Sequence, residues 1–259
     1  MNKVKLGIFG PSGKMGQNII SQLEKFDNDL LLSSLCEQKN HEAIGKKIRG
    51  ITVLDCFETF ISNCEVIIDF TSPDATLALM EKLDGKKTSL VTGTTGFSVQ
   101  QLETFYKLSN GLTLLQSFNM SMGVNILLDI VEKVSSKIPE VDIEISEVHH
   151  KYKKDAPSGT AISIGESVKK GRKKFEETSY VYRGVEQNKV RNKGDIGFTS
   201  LRGGDVIGEH SVFYFMNGEQ IEIKHKATNR KIFSLGALHA AVWIRNKGPG
   251  LYSMKDVLK

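Results

Sequence analysis

Two kinds of hydrophobic pattern alternate along the first 116 residues of the chain. Apolar runs with the length and composition of buried strands occupy residues 3–9, 30–36, 65–70, 88–92 and 112–116. Between these runs, apolar residues recur at helical spacing, most clearly at residues 73–83 and 98–108. Strands that alternate with helices predict a parallel sheet covered by helices on both faces, which is an α/β domain.

The pattern changes after about residue 120. Residues 124–137 have helical periodicity, and residues 141–148 then alternate strictly between apolar and polar side chains, which is typical of a half-exposed strand. Further alternating segments, joined by glycine-containing turns, lie at residues 196–201, 206–215 and 220–226. Hairpins of this kind predict a mixed or antiparallel sheet, which indicates a second, α+β domain. Residues 234–244 return to a buried helical pattern.

Composition narrows the class of protein. The 259 residues are 39% hydrophobic and 25% charged, which is typical of globular chains. No apolar run reaches the ~20 residues that span a bilayer, and the N-terminus lacks the apolar core of a signal peptide. The three cysteines have no metal-binding spacing, and the net charge of +5 is small. We therefore expect a cytoplasmic protein with reduced thiols that binds neither membranes nor nucleic acids.

A glycine-rich turn follows the first predicted strand. Residues 10–16 have the sequence GPSGKMG, a GxxGxxG pattern between a strand and a helix. Glycines let the backbone turn tightly and a pyrophosphate approach, and the helix N-terminus contributes N–H groups and partial positive charge. Glu37 lies just past the second strand, where a carboxylate would bind the adenosine ribose hydroxyls. The pattern predicts a Rossmann-type dinucleotide-binding domain; the alternative is a tight turn with an unrelated surface glutamate.

The residues around Glu37 bear on the choice between NADH and NADPH. A carboxylate at this position repels the 2′-phosphate of NADPH, and the next residue is Gln38 rather than an arginine. Lys14 and Lys39 are nearby cations that could still accept this phosphate. The sequence therefore favours NADH and leaves NADPH as the alternative.

A second glycine turn has the sequence GTTG at residues 93–96, directly after the fourth predicted strand. Ligands of open α/β sheets lie beyond the carboxyl ends of the strands. We therefore expect this turn, the first glycine turn and Phe70–Thr71 to face one crevice. A purely structural role is the alternative for the GTTG turn.

The densest group of chemically active side chains lies in residues 147–161, EVHHKYKKDAPSGTA. Adjacent strand residues point to opposite faces, so His149 and His150 are expected to have different roles. The sequence from Asp155 to Ser158 is a helix-start signal, and a helix N-terminus beside histidine and lysine suits a carboxylate substrate. Histidine is also a ready proton donor at neutral pH.

Two other interpretations of this segment are open on the residues alone. One is a polar loop whose histidines form hydrogen bonds with the backbone. The other is a zinc site, which is disfavoured because no third ligand has a convincing spacing in the sequence. We therefore expect no metal.

Six motifs extend over nearly the whole chain. They are GPSGKMG at 10–16, DFTSP at 69–73, GTTG at 93–96, NMSMGVN at 119–125, EVHHKYKKDAPSGTA at 147–161 and LRGGDVIGEH at 201–210. Together they resemble the dihydrodipicolinate reductase (4-hydroxy-tetrahydrodipicolinate reductase) family of the lysine and diaminopimelate pathway. The HHxxKxDAPSGTA string is the most specific of these motifs.

The resemblance implies a division of the chain into two domains. Residues 1–120 and 230–259 would form the dinucleotide-binding domain, and residues 121–229 the substrate-binding and tetramerisation domain. The open sheet of the second domain would build a homotetramer. The implied reaction is the NAD(P)H-dependent reduction of 4-hydroxy-tetrahydrodipicolinate, a cyclic imine dicarboxylate, to tetrahydrodipicolinate.

The resemblance also implies a role for each matching residue. His149 would donate or accept the proton, and Lys153 would be the second proton donor. The residues implied in holding the substrate carboxylates are His150, Ser158, Gly159 and Thr160. The residues implied in cofactor binding are Gly10, Pro11, Ser12, Gly13, Lys14, Met15, Glu37, Phe70, Thr71, Gly93, Thr94, Thr95, Ser117, Phe118, Asn119 and Met120.

The chain departs from the family pattern beside the adenosine. Many members have arginine at the positions of Ser72 and Gln38, so this chain lacks two cations that would favour NADPH. Members also often have alanine and phenylalanine at the positions of Phe118 and Met120. These are changes of size near the nicotinamide rather than losses of a chemical group.

Two other functions are alternatives. Another two-domain NAD(P)-dependent dehydrogenase, such as a semialdehyde dehydrogenase, needs a nucleophilic cysteine in its second half, but all three cysteines lie at or before residue 64. A catalytically inactive dinucleotide-binding regulator would keep the first glycine turn. It would have no use for His149, Lys153 and the DAPSGT turn together.

Overall fold

The computed structural model describes residues 2–173, 178–182 and 190–259. The chain divides into two compact units: unit 1 comprises Met1–Met122 with Lys231–Lys259, and unit 2 comprises Gly123–Arg230. The sequence motifs and the hydrophobic pattern predict domain boundaries after residues 120 and 229, and the two units of the structure divide after residues 122 and 230. Among the described residues, no helix combines the length and the apolar character needed to cross a membrane.

The secondary-structure elements are as follows. The strands are β1 (Val4–Phe9), β2 (Leu30–Cys36), β3 (Lys47–Ile48), β4 (Ile51–Leu54), β5 (Val66–Asp69), β6 (Ser89–Thr92), β7 (Thr113–Gln116), β8 (Asp142–His149), β9 (Tyr180–Tyr182), β10 (Ile196–Arg202), β11 (Gly208–Met216), β12 (Glu219–Ala227) and β13 (Gly250–Tyr252). The helices are α1 (Lys14–Gln22), α2 (Phe57–Ser62), α3 (Pro73–Leu83), α4 (Val99–Ser109), α5 (Met122–Lys137), α6 (Gly159–Gly171), α7 (Lys231–Ile244) and α8 (Met254–Val257). A short 3₁₀ helix, Leu23–Phe26, follows α1.

Residues 2–122 and 231–259 form an eight-stranded sheet of order β13-β7-β6-β5-β1-β2-β4-β3. Its neighbouring strands are parallel except for β3 and β4. The strand order reverses at β1, which pairs with β2 on one side and with β5 on the other. In doubly wound sheets, ligands bind at such a reversal, beyond the carboxyl ends of the strands.

Helices cover both faces of this sheet. On one face, Ile19 of α1 and Leu238 of α7 belong to a core that also contains residues of β1 and β2. On the other face, Phe60, Leu79 and Phe105 bring α2, α3 and α4 against the sheet. The predicted α/β fold with helices on both sides of a parallel sheet is confirmed.

The described part of unit 2 contains a five-stranded sheet of order β12-β11-β8-β10-β9. The central strand β8 pairs in parallel with β10 and antiparallel with β11, so the sheet is mixed, as predicted. Residues of α5 and α6, including Val131 and Ile164, pack on one face with Tyr214 of β11. On the opposite face of β11, the rings of Phe213 and Phe215 stack and are partly exposed. This face is the open side of the sheet.

The structure contains several short elements that the sequence patterns do not predict. They are β3, β4 and α2 between residues 47 and 62, then β9, β13 and α8. The missed strands have two to four residues and are mostly partly exposed, whereas the equally short strands β5 and β6 are buried throughout and stand out as apolar runs. The long periodic elements, by contrast, lie where their patterns predict them.

Candidate active site

The first glycine turn connects β1 to α1 in unit 1. Gly10 has a φ of +76°, a left-handed conformation that favours glycine. A Cβ atom at Gly16 would lie 2.2 Å from the carbonyl oxygen of Gly10, so the turn and the helix can pack this closely only with glycine there. Gly13 is the N-cap of α1 and supplies no side-chain cap to the first helical turn. Such a helix start can receive an anionic group.

A cavity of about 310 Å³ adjoins this turn. It is lined by the turn, by Glu37 at the end of β2 and by Phe70–Thr71 at the end of β5. Glu37 is largely buried, and its Oε1 accepts a hydrogen bond of 2.8 Å from the Ser12 N–H. The carboxylate is thus anchored to the glycine turn through one of its oxygens. Gln38 and His41 line the same cavity.

Asp69, the last residue of β5, accepts hydrogen bonds from four threonines. Its side chain is 0% exposed. Oδ1 accepts from the N–H and hydroxyl of Thr71 at 2.9 and 2.6 Å. Oδ2 lies 2.5, 3.0 and 3.2 Å from the hydroxyls of Thr76, Thr92 and Thr94. One buried carboxylate therefore joins the loop after β5, the helix α3 and the GTTG turn after β6.

The Asp69 network holds the Phe70–Thr71 segment beside the GTTG turn, and both segments are expected to border the cofactor. A Cβ atom at Gly93 would lie 2.1 Å from the ring of Phe70, so the GTTG turn packs directly on the residue that follows Asp69. Thr94 is buried in this contact, while Thr95 is exposed. Sequence reasoning assigned no role to Asp69, although threonines at the ends of neighbouring strands are a signal for such a buried acceptor.

The segment after β7 has a mixed environment. The hydroxyl of Ser117 donates to the carbonyl of Asn119 at 2.8 Å, and the ring of Phe118 is 61% exposed. Met120 differs, because its side chain is 1% exposed and belongs to the hydrophobic core of unit 1. The side chain of Met120 is therefore committed to packing.

The remaining residues expected at the cofactor lie on or beside the first turn. Lys14 is exposed, Met15 is half-buried and Pro11 is buried.

In unit 2, the histidine–lysine segment begins on β8. Glu147 and His149 lie on the buried face of this central strand, two residues apart, whereas His150 lies at its end. His149 Nδ1 contacts Glu147 Oε2. Glu147 Oε1 lies 2.7 Å from Arg202 Nη2 and 3.3 Å from the Ser158 N–H, both donors. The buried carboxylate thus joins β8, β10 and the start of α6.

These contacts set the charge states of the pair. Burial acts to raise the pKa of Glu147, but hydrogen bonds from Arg202, Ser200 and His149 outweigh it, so the pKa lies below its usual value. Burial lowers the pKa of His149, although the Glu147 carboxylate acts in the opposite direction. Glu147 is therefore ionised at neutral pH, and His149 is predominantly neutral in the absence of substrate.

His210 of β11 links this pair to α6. Its Nε2 lies 3.0 Å from the hydroxyl of Ser158, which also caps α6 by accepting a hydrogen bond of 3.2 Å from the Ala161 N–H. Burial lowers the pKa of His210 to about 4. Ser158 is itself buried, and its hydroxyl takes part in both of these contacts at the helix start. Gly159, the first helical residue, is exposed.

The two other polar residues of the segment have separate surroundings. Lys153 Nζ donates to both carboxylate oxygens of Asp155, at 2.9 and 2.8 Å, and this contact lowers the pKa of Asp155. His150 lines a cavity of about 610 Å³ with Lys151, Arg230 and other residues of unit 2. His149 and His150 therefore have different environments within unit 2. Thr160 follows Gly159 in the first turn of α6.

Glu147, His149 and His210 have ligand atoms within 4.8 Å of one another. Sequence spacing does not reveal this group, because His210 lies about 60 residues further along the chain, on the neighbouring strand β11. These residue types also occur in zinc sites. Here the carboxylate already accepts from Arg202 and from a backbone N–H, and His210 contacts Ser158. We therefore interpret the group as a hydrogen-bond network, and the expectation of no metal stays a prediction.

Family models match both units. The model described as "Dihydrodipicolinate reductase, N-terminus" matches residues 4–120, and the one described as "Dihydrodipicolinate reductase, C-terminus" matches residues 123–258. The chain belongs to the dihydrodipicolinate reductase family. This confirms the resemblance inferred from the motifs, and it supports the use of NAD(P)H.

Relatives named 4-hydroxy-tetrahydrodipicolinate reductase are similar over nearly the full length. The relative from Campylobacter concisus is 40% identical over 255 residues, which cover 98% of each chain. The relative from Roseobacter denitrificans is 38% identical over 265 residues, covering 98% of this chain and 97% of its own.

Solved structures share the fold. The dipicolinate-bound dihydrodipicolinate reductase from Paenisporosarcina sp. TG-14 matches with a TM-score of 0.79 and 21% identity, covering 98% of this chain and 99% of its own. Aspartate semialdehyde dehydrogenase II from Vibrio cholerae matches with a TM-score of 0.59 and 10% identity, covering 95% and 99%. At these identities the similarity establishes the fold alone.

The Asp69 network can be tested by the substitution Asp69→Asn. The amide group keeps the shape but removes the charge and replaces one acceptor oxygen with an NH2 donor that faces hydroxyl donors, so the free energy of unfolding should fall by roughly 1–3 kcal/mol. Asp74→Asn is the matched control, because Asp74 is exposed at the start of α3. Urea unfolding measures both; equal losses in the two variants would refute the structural role of Asp69.

The buried His210 predicts a loss of stability in mild acid. Its pKa of about 4 in the folded protein lies below the ordinary value of 6.5, so the unfolded chain binds protons more readily between these values. Stability should therefore fall as pH decreases from 7 to 5, with His210 contributing roughly 2 kcal/mol of the change.

The test compares the wild type with His210→Gln, whose amide can still bond to Ser158, by urea unfolding at both pH values. The variant should lose less stability on acidification than the wild type. The exposed His239, replaced by glutamine in the same way, is the control. An unchanged pH dependence in His210→Gln would contradict the assignment.

Proposed function

We propose that the chain reduces 4-hydroxy-tetrahydrodipicolinate to tetrahydrodipicolinate with NAD(P)H, a step in lysine and diaminopimelate biosynthesis. Family membership and the names of the relatives support this substrate. The structural observation that carries the proposal is the placement of His149, Lys153 and the N-terminus of α6 in one unit. A proton donor, a cation and backbone N–H groups suit a dicarboxylate that must accept a proton.

The start of α6 is the proposed carboxylate site. The first-turn N–H groups of an α-helix have no intrahelical acceptor and carry partial positive charge. Gly159 has no side chain to obstruct an approaching carboxylate, and Thr160 follows it in the same turn. Ser158 contributes by holding the helix start through His210, and His150 is the proposed contact for a second carboxylate.

His149 is the proposed proton donor and Lys153 the second one. His149 has its Nδ1 bound by Glu147, so Nε2 is the nitrogen left for proton exchange. The contact with Asp155 restricts the position of the Lys153 ammonium group. A charged lysine stabilises negative charge on the bound dicarboxylate and on the reduced product.

The residues of unit 1 fit a dinucleotide. The first glycine turn would hold the pyrophosphate, and Glu37 would bind ribose hydroxyls through the oxygen that does not accept from Ser12. The turn at Gly93–Thr95 and the segment from Ser117 to Asn119 would border the nicotinamide. When bound, NAD(P)H supplies the hydride, while this chain contributes orientation, charge and the proton.

Glu37 and Gln38 support NADH as the preferred cofactor. Both line the cavity of about 310 Å³ beside the first turn. An ionised carboxylate there repels a 2′-phosphate, and Gln38 provides no compensating charge.

Two further features concern assembly and location. The open face of the unit 2 sheet, with the partly exposed rings of Phe213 and Phe215, supports the proposal of a homotetramer. The three cysteines are free thiols, which supports a reducing compartment such as the cytoplasm.

The activity is tested with substrate formed in situ from aspartate semialdehyde and pyruvate. The wild type should oxidise NADH only when this dicarboxylate is present. His149→Gln should lower kcat at least 100-fold, because it removes the proton donor, and should leave the Kd for NADH within about twofold. Absorbance at 340 nm measures turnover, and NADH fluorescence measures binding.

The matched control is His225→Gln, which replaces a half-buried histidine of unit 2 and should keep most of the activity. Wild-type kcat in His149→Gln would overturn the catalytic assignment. NADH binding by the wild type without any turnover would instead identify an inactive dinucleotide-binding protein.

Cofactor choice is tested by Gln38→Arg. A guanidinium beside Glu37 should partly neutralise the carboxylate and bind a 2′-phosphate by donating hydrogen bonds to it. The ratio of kcat/KM for NADPH to that for NADH should therefore rise about tenfold. Steady-state kinetics with both cofactors measure this ratio, and the exposed Gln100→Arg in α4 is the charge control. A strong NADPH preference in the wild type would contradict the proposed role of Glu37.

A further inference from the structure

We propose that Glu147 is a positioning residue that holds His149 in one tautomer, with the proton on Nδ1, and that Arg202 keeps Glu147 in place for this role. The inference rests on the proposed function, because it explains how His149 would present Nε2 to the substrate. Sequence reasoning gave no role to either Glu147 or Arg202.

The strand register brings this group together. Glu147 and His149 lie on the same face of β8, because side chains two residues apart on a strand point the same way. In the parallel pairing with β10, Ser200 is opposite Glu147 and Arg202 is opposite His149. In the antiparallel pairing with β11, His210 is opposite Glu147. The carboxylate is thus surrounded by neighbours on both adjacent strands.

The neighbours of Glu147 are hydrogen-bond donors. Arg202 Nη2 lies 2.7 Å from Oε1, and the Ser158 N–H lies 3.3 Å from the same oxygen. A guanidinium cannot accept a hydrogen bond, and neither can a backbone N–H. Because the pKa of Glu147 stays below its usual value despite burial, its second oxygen, Oε2, is also an acceptor, and His149 Nδ1 carries the proton in their contact.

Arg202 is itself fixed from two further directions. Its Nη2 also donates to the carbonyl of Asp155 at 2.6 Å, and its Nη1 donates to its neighbour's carbonyl, that of Leu201, at 2.7 Å. The guanidinium therefore joins the loop that carries Lys153 to the carboxylate that holds His149. A side chain held at three points is well suited to fix the position of Glu147.

The other nitrogen of His149 faces a glycine. A Cβ atom at Gly208 would lie 3.0 Å from His149 Nε2, closer than side-chain atoms normally pack. Glycine at this position leaves Nε2 unobstructed by a neighbouring side chain on that side. The Nδ1 atom of the imidazole is thus held by Glu147, while Nε2 has space on the side of Gly208.

This arrangement defines the proton transfer. The imidazolium of His149 carries protons on both nitrogens, and the bond between Nε2 and its proton breaks as the proton passes to the substrate. The neutral ring keeps its Nδ1 proton, hydrogen-bonded to Glu147, so the carboxylate itself takes up no proton. Ionised Glu147 favours the imidazolium, which promotes protonation of His149 before the transfer.

The effect on pH dependence follows from the groups that face His149. Burial lowers the pKa of His149, Glu147 opposes this lowering, and Lys153 and Arg202 add to it; the ring of His210 packs edge-on at 5.1 Å. Replacing Glu147 by a neutral amide removes the group that opposes the lowering. The fraction of protonated His149 at neutral pH should then decrease.

The experiment uses Glu147→Gln in the full chain, with Glu140→Gln as the control. Glu140 is an exposed residue just before β8, so the control removes the same charge from the same unit. In Glu147→Gln, kcat at pH 7.5 should fall at least tenfold, KM for NADH should stay within about twofold, and the loss of activity at high pH should begin at lower pH. A uniform loss with an unchanged pH profile would overturn the positioning role.

Nitrogen NMR of the histidine side chains provides a second readout that does not depend on turnover. Above the titration range of His149, the wild type should show the Nδ1-protonated tautomer, and Glu147→Gln should shift the His149 titration to lower pH. A wild-type ring protonated on Nε2 would overturn the inference even if Glu147→Gln failed to fold. Absence of wild-type turnover together with the expected tautomer would refute the proposed function and leave the role of Glu147 intact.

Discussion

A buried carboxylate is stable only where hydrogen-bond donors satisfy its oxygens, and this constraint organises both units. Asp69 ends a central strand of unit 1 and gathers four threonines from neighbouring segments. Glu147 lies on the central strand of unit 2 and gathers Arg202, a histidine and the start of α6. In each unit, a single buried carboxylate joins neighbouring segments at one edge of the sheet.

The hydrogen-bond donors around Asp69 and Glu147 differ in whether they titrate near neutral pH, and the two networks therefore have different roles. Around Asp69 they are hydroxyl and backbone groups that do not titrate near neutral pH, so the network supplies a rigid support for the proposed cofactor crevice. Around Glu147 one partner is His149, whose charge can change near neutral pH. The same physical device thus gives a scaffold in one unit and, in our proposal, an oriented acid in the other.

The sequence predicts the long elements and the motif positions well, because periodicity and glycine patterns are local properties. Partners that meet across strands are not local: His210 and Arg202 reach Glu147 only through the register of β8 with β10 and β11. A sequence motif also does not show which of its side chains are buried. Ser158 is expected at the substrate and Met120 at the cofactor; the motifs do not show that the hydroxyl of Ser158 also caps a helix and that the side chain of Met120 packs in the core.

The most direct test of the proposed chemistry follows the hydride itself. In a single turnover, NADH deuterated on either face of C4 is mixed with the protein and 4-hydroxy-tetrahydrodipicolinate, and the product mass is measured. One of the two deuterated forms should transfer one deuterium to each tetrahydrodipicolinate molecule, and the other should transfer none. Product that contains no deuterium from either form, or NADH oxidation without tetrahydrodipicolinate, would contradict the account.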